Sequence, residues 1–144
     1  MDKAKLLSVM KKLSLPKGQF AIFGGACLTA HDIRPTSDLE IFVTPDLYAK
    51  LKRQGWQERV TGSTGATYQT KTILDVPILV FVTCGSDRWQ PNADAYITNP
   101  EIISDLPLMP LREMRAWKAA TARPKDLIDV KLIDVHFAEN TVRA

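Results

Sequence analysis

The sequence predicts an α+β fold, a mixed sheet of four to five strands packed with helices. Two observations carry this. Short apolar runs rich in β-branched and aromatic residues, such as 19–23 and 76–82, have the length of strands, and segments with helical apolar spacing stand before, between and after them. The 144 residues, 45% of them hydrophobic, suffice for one domain, 1–144, with a substantial core, and are too few for two.

Residues 3–13 put Leu6, Met10 and Leu13 on one helical face, and Leu15-Pro16-Lys17-Gly18 stops that helix. Gln19 to Phe23 reads as a short buried strand, Gly25 to His31 as a short helix, and Asp38 to Thr44 as a second strand ended by Pro45. Pro45 opens the next helix, with Thr44 as its cap and Gly55 just past its end. After Trp56, the pieces QERV, ATYQTKTI and VPILVFV read as strands. Only Leu74 and Asp75 separate the last two, which suits a hairpin. From Cys84 to Pro107 the scattered Gly, Ser, Asn and Pro suggest a loop, with one short helix near Glu101 to Ser104. Helices from Leu111 to Ala122 and from Pro124 to about Phe137 close the chain. In the latter, Ile128, Leu132 and Val135, flanked by Val130, Ile133 and Phe137, form an apolar stripe expected to pack against the sheet.

The 24% charged content and net charge of +3 suit a phosphate-bearing ligand without demonstrating one. MDKAKLLSVMKKL mixes charged and apolar residues unlike a signal peptide. No apolar run approaches the roughly 20 residues that span a bilayer, so no membrane partner is expected and the cytoplasm is the expected compartment. Cys27 and Cys84 lie in apolar surroundings without metal-ligand spacing, which favours buried free thiols over a disulfide. No Ser-His-Asp spacing, CxxC pair or Walker motif is present.

The chemistry concentrates in FGGACLTAHDIRPTSDLEIFV, Phe23 to Val43. A strand ending in Gly24-Gly25 and leading into a helix offers backbone N–H groups with no side chain in the way, a favourable place for phosphate oxygens. Glycine pairs also end strands for purely conformational reasons. Farther on, after Arg34, Thr36 and Ser37, Asp38 and Glu40 occupy positions i and i+2 of a strand. They project to one face, where like charges repel unless something positive intervenes. Such a pair can hold Mg²⁺, which prefers oxygen ligands and binds through a few carboxylates plus substrate phosphates. The plain alternative is the solvent face of an edge strand, with Leu39, Ile41 and Val43 toward the core.

Apolar-Gly-Gly, a short helix, R-x-T-x-D-apolar-acid and an apolar strand together resemble the signature of the nucleotidyltransferase superfamily that includes DNA polymerase beta. The resemblance implies that Gly24 and Gly25 contact a nucleoside triphosphate (NTP), with Arg34, Thr36 and Ser37 beside it. It also implies that Asp38 and Glu40 hold Mg²⁺, or Mn²⁺ in its place. The usual second acid is Asp, so Glu40 is a variation with a longer reach. The C-terminal LREMRAWKAATARPKDLIDVKLI resembles the K-x4-R-x-KD-x2-D ending of small nucleotidyltransferases related to the toxins of abortive-infection toxin–antitoxin pairs, through Lys118, Arg123, Lys125, Asp126 and Asp129. By that resemblance Lys118 approaches the nucleotide phosphates and Asp126 helps orient the site. A surface pair of Lys125 with Asp129, and Asp126 at a helix start, explain the same residues without a ligand, and for Asp129 that is the better reading. The implied activity is transfer of a nucleoside monophosphate to a hydroxyl on a small molecule, an RNA end or a protein side chain. The alternative is a degenerate relative that keeps the fold as a nucleotide-binding or regulatory module.

Active members of the superfamily carry a third carboxylate on a neighbouring strand, as general base or as part of the metal site. In VPILVFV the expected register puts Leu79 there. The nearest acid, Asp75, lies four residues earlier, about 13 Å along a strand, unless the register begins at Asp75. Asp75 is therefore the candidate third acid and Leu79 the sign of a lost one. His31 reads as a surface histidine, Trp56 and Trp117 as core edges, and Trp89, beside Arg88, as a candidate for stacking on a base.

Overall fold

The computed structural model describes residues 1–143. In chain order its elements are helix α1 (Lys3–Leu13), strand β1 (Phe20–Phe23), α2 (Gly25–Ala30), β2 (Leu39–Val43), α3 (Pro45–Arg53), β3 (Gln57–Val60), β4 (Thr67–Ile73), β5 (Val76–Phe81), α4 (Ala93–Thr98), β6 (Glu101–Ile103), β7 (Leu106–Leu108), α5 (Leu111–Thr121) and α6 (Pro124–Arg143). The helix starts are set locally. The Asp2 side chain accepts from the Lys5 N–H ahead of α1, and Thr44 accepts from the Leu47 N–H ahead of Pro45.

The strands form a mixed sheet of seven in the order β3-β4-β5-β2-β1-β7-β6. The pairs β2/β5 and β1/β7 are parallel and the remaining neighbours antiparallel. Four to five strands were too few. The segment expected as loop and short helix around Glu101 instead forms the hairpin β6–β7, turning at Ser104 and Asp105 with φ of 51° and 63°. The helix of that region lies earlier, at α4, where the Asn92 side chain accepts from the Ala95 N–H. Leu74 and Asp75 make the same kind of turn between β4 and β5, at φ 50° and 64°.

Because directly opposed residues share a sheet face, the register sorts the central strands into two surfaces. On one, Leu39, Ile41 and Val43 stand with Ile22, Ile78 and Val80, all at most 1% exposed. Gln69 on that face donates its side-chain N–H to the Tyr48 carbonyl of α3 at 2.8 Å, and α1 also lies against β4. On the other, Glu40 stands between Phe23 and Leu79, and Phe42 between Ala21 and Phe81. Helix α4 covers part of this face, with Tyr96 6.3 Å from the Phe42 ring, and α5 brings Trp117 to 5.8 Å from the Phe23 ring. The two acids thus share a face with aromatic residues.

Helix α6 packs on α5 rather than on the sheet. Its expected apolar stripe is turned outward, with Ile128 61% and Val135 55% exposed. Of the residues named for it Ile133 alone is buried, on a face that it shares with Asp126 and Asp129. Spacings of three and four residues make these a face as regular as an apolar stripe, and the ion pairs of the two aspartates select it. Among the described residues no helix is long and apolar enough to cross a membrane.

Candidate functional site

A cleft of about 750 Å³ opens between the end of the central strands and the α5–α6 pair. The β1–α2 junction contributes Phe23, Gly24 and Gly25. The segment entering β2 contributes Arg34, Thr36, Ser37, Asp38 and Glu40. The helices contribute Trp117, Lys118, Arg123, Lys125, Asp126, Ile128 and Asp129. Of the residues singled out in the sequence for metal and nucleotide, eight therefore meet here: Gly24, Gly25, Arg34, Thr36, Ser37, Asp38, Glu40 and Lys118. None of them lines the two smaller hollows of about 460 and 160 Å³.

Asp75 does not join them. It occupies the turn beyond the Ile73–Val76 pair, whereas Leu79 is the residue of β5 opposite Glu40. The register thus does not begin at Asp75. The separation of four strand residues corresponds to about 13 Å, well outside coordination distance.

The glycines serve close approach. Gly24 has φ 72°, and a Cβ there would lie 2.5 Å from Glu40 Oε1, while a Cβ on Gly25 would lie 2.6 Å from Thr36 Oγ1. Any larger residue at 24 would be strained and would displace the Glu40 carboxylate.

Burial, and then the nearby Asp38 charge, push the Glu40 pKa up to about 7, against the pull of Lys118, Lys125 and Arg123. Its flanking residues explain the burial, since Phe23 and Leu79 offer the carboxylate no donor. The opposite wall is an ion-pair network. Arg34 grips Asp129 in bidentate fashion, with both N–H donors at 2.7 Å. Lys118 Nζ lies 2.9 Å from Asp129 Oδ2 and 3.8 Å from Asp126 Oδ1. Arg123 donates to Asp126 twice from its guanidinium, at 2.7 and 3.1 Å, and once from its backbone N–H, at 3.2 Å, and the Thr121 hydroxyl donates to it at 3.0 Å. Burial alone would raise both aspartates. Hydrogen bonds to Arg34 and Lys118 hold Asp129 below the ordinary carboxylate range, and those to Arg123 and Thr121 do the same for Asp126. The expected surface pair of Lys125 with Asp129 gives way to this arrangement, because Arg34, 95 residues away in the chain, supplies a better-matched planar fork.

Asp38 and Glu40 are hard oxygen donors, which suits Mg²⁺ or Mn²⁺. Among the described residues no group of three or more His, Cys, Asp or Glu stands together as a metal cage. Two carboxylates nonetheless fit a cation that arrives with phosphates and completes its shell from them. The raised Glu40 pKa reflects its burial and the Asp38 charge, and a cation between the two carboxylates would offset both.

Other expectations shift. His31 is not a surface residue: its ring is 9% exposed and its Nε2 lies 2.9 Å from Glu101 Oε1. Trp89 does not line the cleft, and its indole N–H is buried without a partner. Trp117 does line it, although in sequence it reads only as a core edge. Cys27 and Cys84 are free, and burial pushes both thiols up, Cys84 to about 12.

No family model and no curated protein matches the chain. A solved structure that bears a likeness to it is that of ANT(2″)-Ia in complex with adenylyl-2″-tobramycin, at 14% identity and a TM-score of 0.34, with 95% of each chain covered.

Proposed function

We propose that this protein is a nucleotidyltransferase that binds an NTP with Mg²⁺ in the cleft and moves its nucleoside monophosphate to a hydroxyl acceptor. What supports the reading is one convergence: eight residues from separate stretches of the chain, which the resemblance to nucleotidyltransferases assigns to metal or nucleotide, line a single cleft. In this reading Asp38 and Glu40 hold the cation, and Gly24 and Gly25 leave room for phosphate oxygens against the backbone. Lys118, fixed by Asp126 and Asp129, and Arg34, fixed by Asp129, present positive charge already oriented. A bound divalent cation would supply charge neutralisation on the phosphates. The acceptor oxygen attacks the α-phosphorus and gives up its proton to water, the bond from that phosphorus to the bridging oxygen breaks, and pyrophosphate leaves.

A second reading has its own observation. Leu79 stands beside Glu40 where a third carboxylate would take the acceptor proton, which favours a nucleotide-binding module without transfer chemistry. The two separate in one assay. Labelled NTPs, Mg²⁺ or Mn²⁺ and a panel of small-molecule, RNA and protein acceptors are expected to give labelled product and pyrophosphate with the wild type and none with Asp38→Ala. Metal-dependent nucleotide binding without pyrophosphate release would leave only the module. If neither metal nor nucleotide changes the thermal stability of the wild type, both readings fall.

A further inference from the structure

We infer that Trp117 is the platform on which the nucleobase stacks, with Phe23 and Phe42 as its backing; this rests on the reading of the cleft as a nucleotide site. The rings of Phe23 and Phe42 stack at 3.9 Å with 15° between their planes, and Trp117 continues the ladder from Phe23 at 5.8 Å and 20°. The ladder runs from enclosed to open. Phe42 is fully buried, Phe23 is buried but touches the cleft, and Trp117 is half-buried on the cleft wall.

Helix α5 buries Leu111 and Met114 at 1% and 2% exposure, yet leaves open Trp117, the next residue of the same face and its largest side chain. Enclosing an aromatic ring is among the larger gains available to a core, so an indole left open on a cleft wall is a surface waiting for a flat partner. A base is such a partner. The chain also places the ladder directly beside the polar end of the cleft, for Gly24 follows Phe23 and Lys118 follows Trp117. Phosphates at Lys118 and the glycine pair would leave the rest of a nucleotide next to the indole. Stacking of this kind is tolerant of base identity, because every base has a π-face.

Calorimetric titration of Mg²⁺·ATP and of Mg²⁺·tripolyphosphate, which has the phosphates without the base, tests this. Trp117→Ala is expected to weaken ATP about 5- to 150-fold and to leave tripolyphosphate unchanged. Trp117→Phe, which keeps a ring, is expected to bind ATP within a few-fold of wild type. It also provides a second readout that does not depend on the alanine variant folding. ATP, but not tripolyphosphate, is expected to quench the tryptophan emission of the wild type, and the quenched component is expected to vanish in Trp117→Phe, where Trp56 and Trp89 remain. If Trp117→Ala binds ATP as tightly as wild type, or loses ATP and tripolyphosphate equally, or if the quenching survives in Trp117→Phe, the stacking role is wrong while the nucleotide site stands. If the wild type binds neither probe, the nucleotide site itself is wrong and the stacking role goes with it.

Discussion

Glu40 lies between two apolar strand neighbours, Phe23 and Leu79, and close enough to Asp38 to feel its charge. Its pKa of about 7 in the fold, against 4.5 ordinarily, is therefore a statement about stability. Between those values the folded chain holds a proton that the unfolded chain has released. Stability consequently falls as pH rises through the window, by up to about 3 kcal/mol. Gln cannot ionise, so Glu40→Gln is expected to match the wild type at pH 5 and to exceed it at pH 8, as read from urea unfolding at the two pH values. A gap that does not widen with pH would mean that the Glu40 charge is already compensated in the free protein. The residue was legible as a metal candidate from its spacing to Asp38. Its burial was not, because that depends on which strands flank β2.

The same dependence on partners governs α6. Its apolar residues suggest one inward face and the structure buries another, because Asp129 finds Arg34 and Lys118, and Asp126 finds Arg123, Lys118 and Thr121. Charge–charge matching across the molecule outranks a stripe that no neighbour is positioned to cover. Asp129→Ala would leave Arg34 and Lys118 without their shared partner. Loss of one member of a buried pair commonly costs 3–5 kcal/mol, and the Arg34 side chain is 30% exposed, so about 2 kcal/mol is expected at neutral pH. Asp129 is held below its ordinary pKa, so its contribution is present above the unfolded value of about 3.9 and is lost as pH falls through the lower folded value. The cost of the substitution should shrink in acid. A urea-unfolding series down the pH scale checks this, and a cost that stays constant would assign Asp129 a packing role instead. The β6–β7 hairpin escaped sequence reading for a different reason. Its strands are three residues long, and its turn at Ser104-Asp105 adopts positive φ without the glycine or Asn-Gly that normally signals it. By contrast β1 to β5 and the helices α1, α3 and α5 carry their own punctuation, such as Pro45 after the Thr44 cap.

Across the whole molecule the cleft joins parts that lie far apart in the chain, and the order of strands decides what completes it. Two walls were visible in sequence as motifs, the Gly24 to Glu40 stretch and the Lys118 to Asp129 stretch. The flank on the β5 side was expected only through the family resemblance, which put Leu79 at the third-acid position, because no local pattern says that β5 runs parallel to β2 with Leu79 opposite Glu40. That register makes a direct test of whether the sheet lacks one carboxylate. Leu79→Asp would set a third acid beside Glu40, a carboxyl whose ionisation burial and Asp38 already disfavour. Without a divalent cation the added charge is expected to destabilise the fold by about 1–3 kcal/mol and to push the Glu40 pKa higher still. Mg²⁺ with an NTP is expected to return that loss, seen as a larger thermal shift than in the wild type. If the fold has lost a base at this position, pyrophosphate release by Leu79→Asp should exceed that of the wild type by about 10²-fold, the inverse of what removal of such a group costs. Unchanged release alongside the larger thermal shift would mean that the added acid binds metal without taking the acceptor proton, and the base would then have to be sought on the α5–α6 wall.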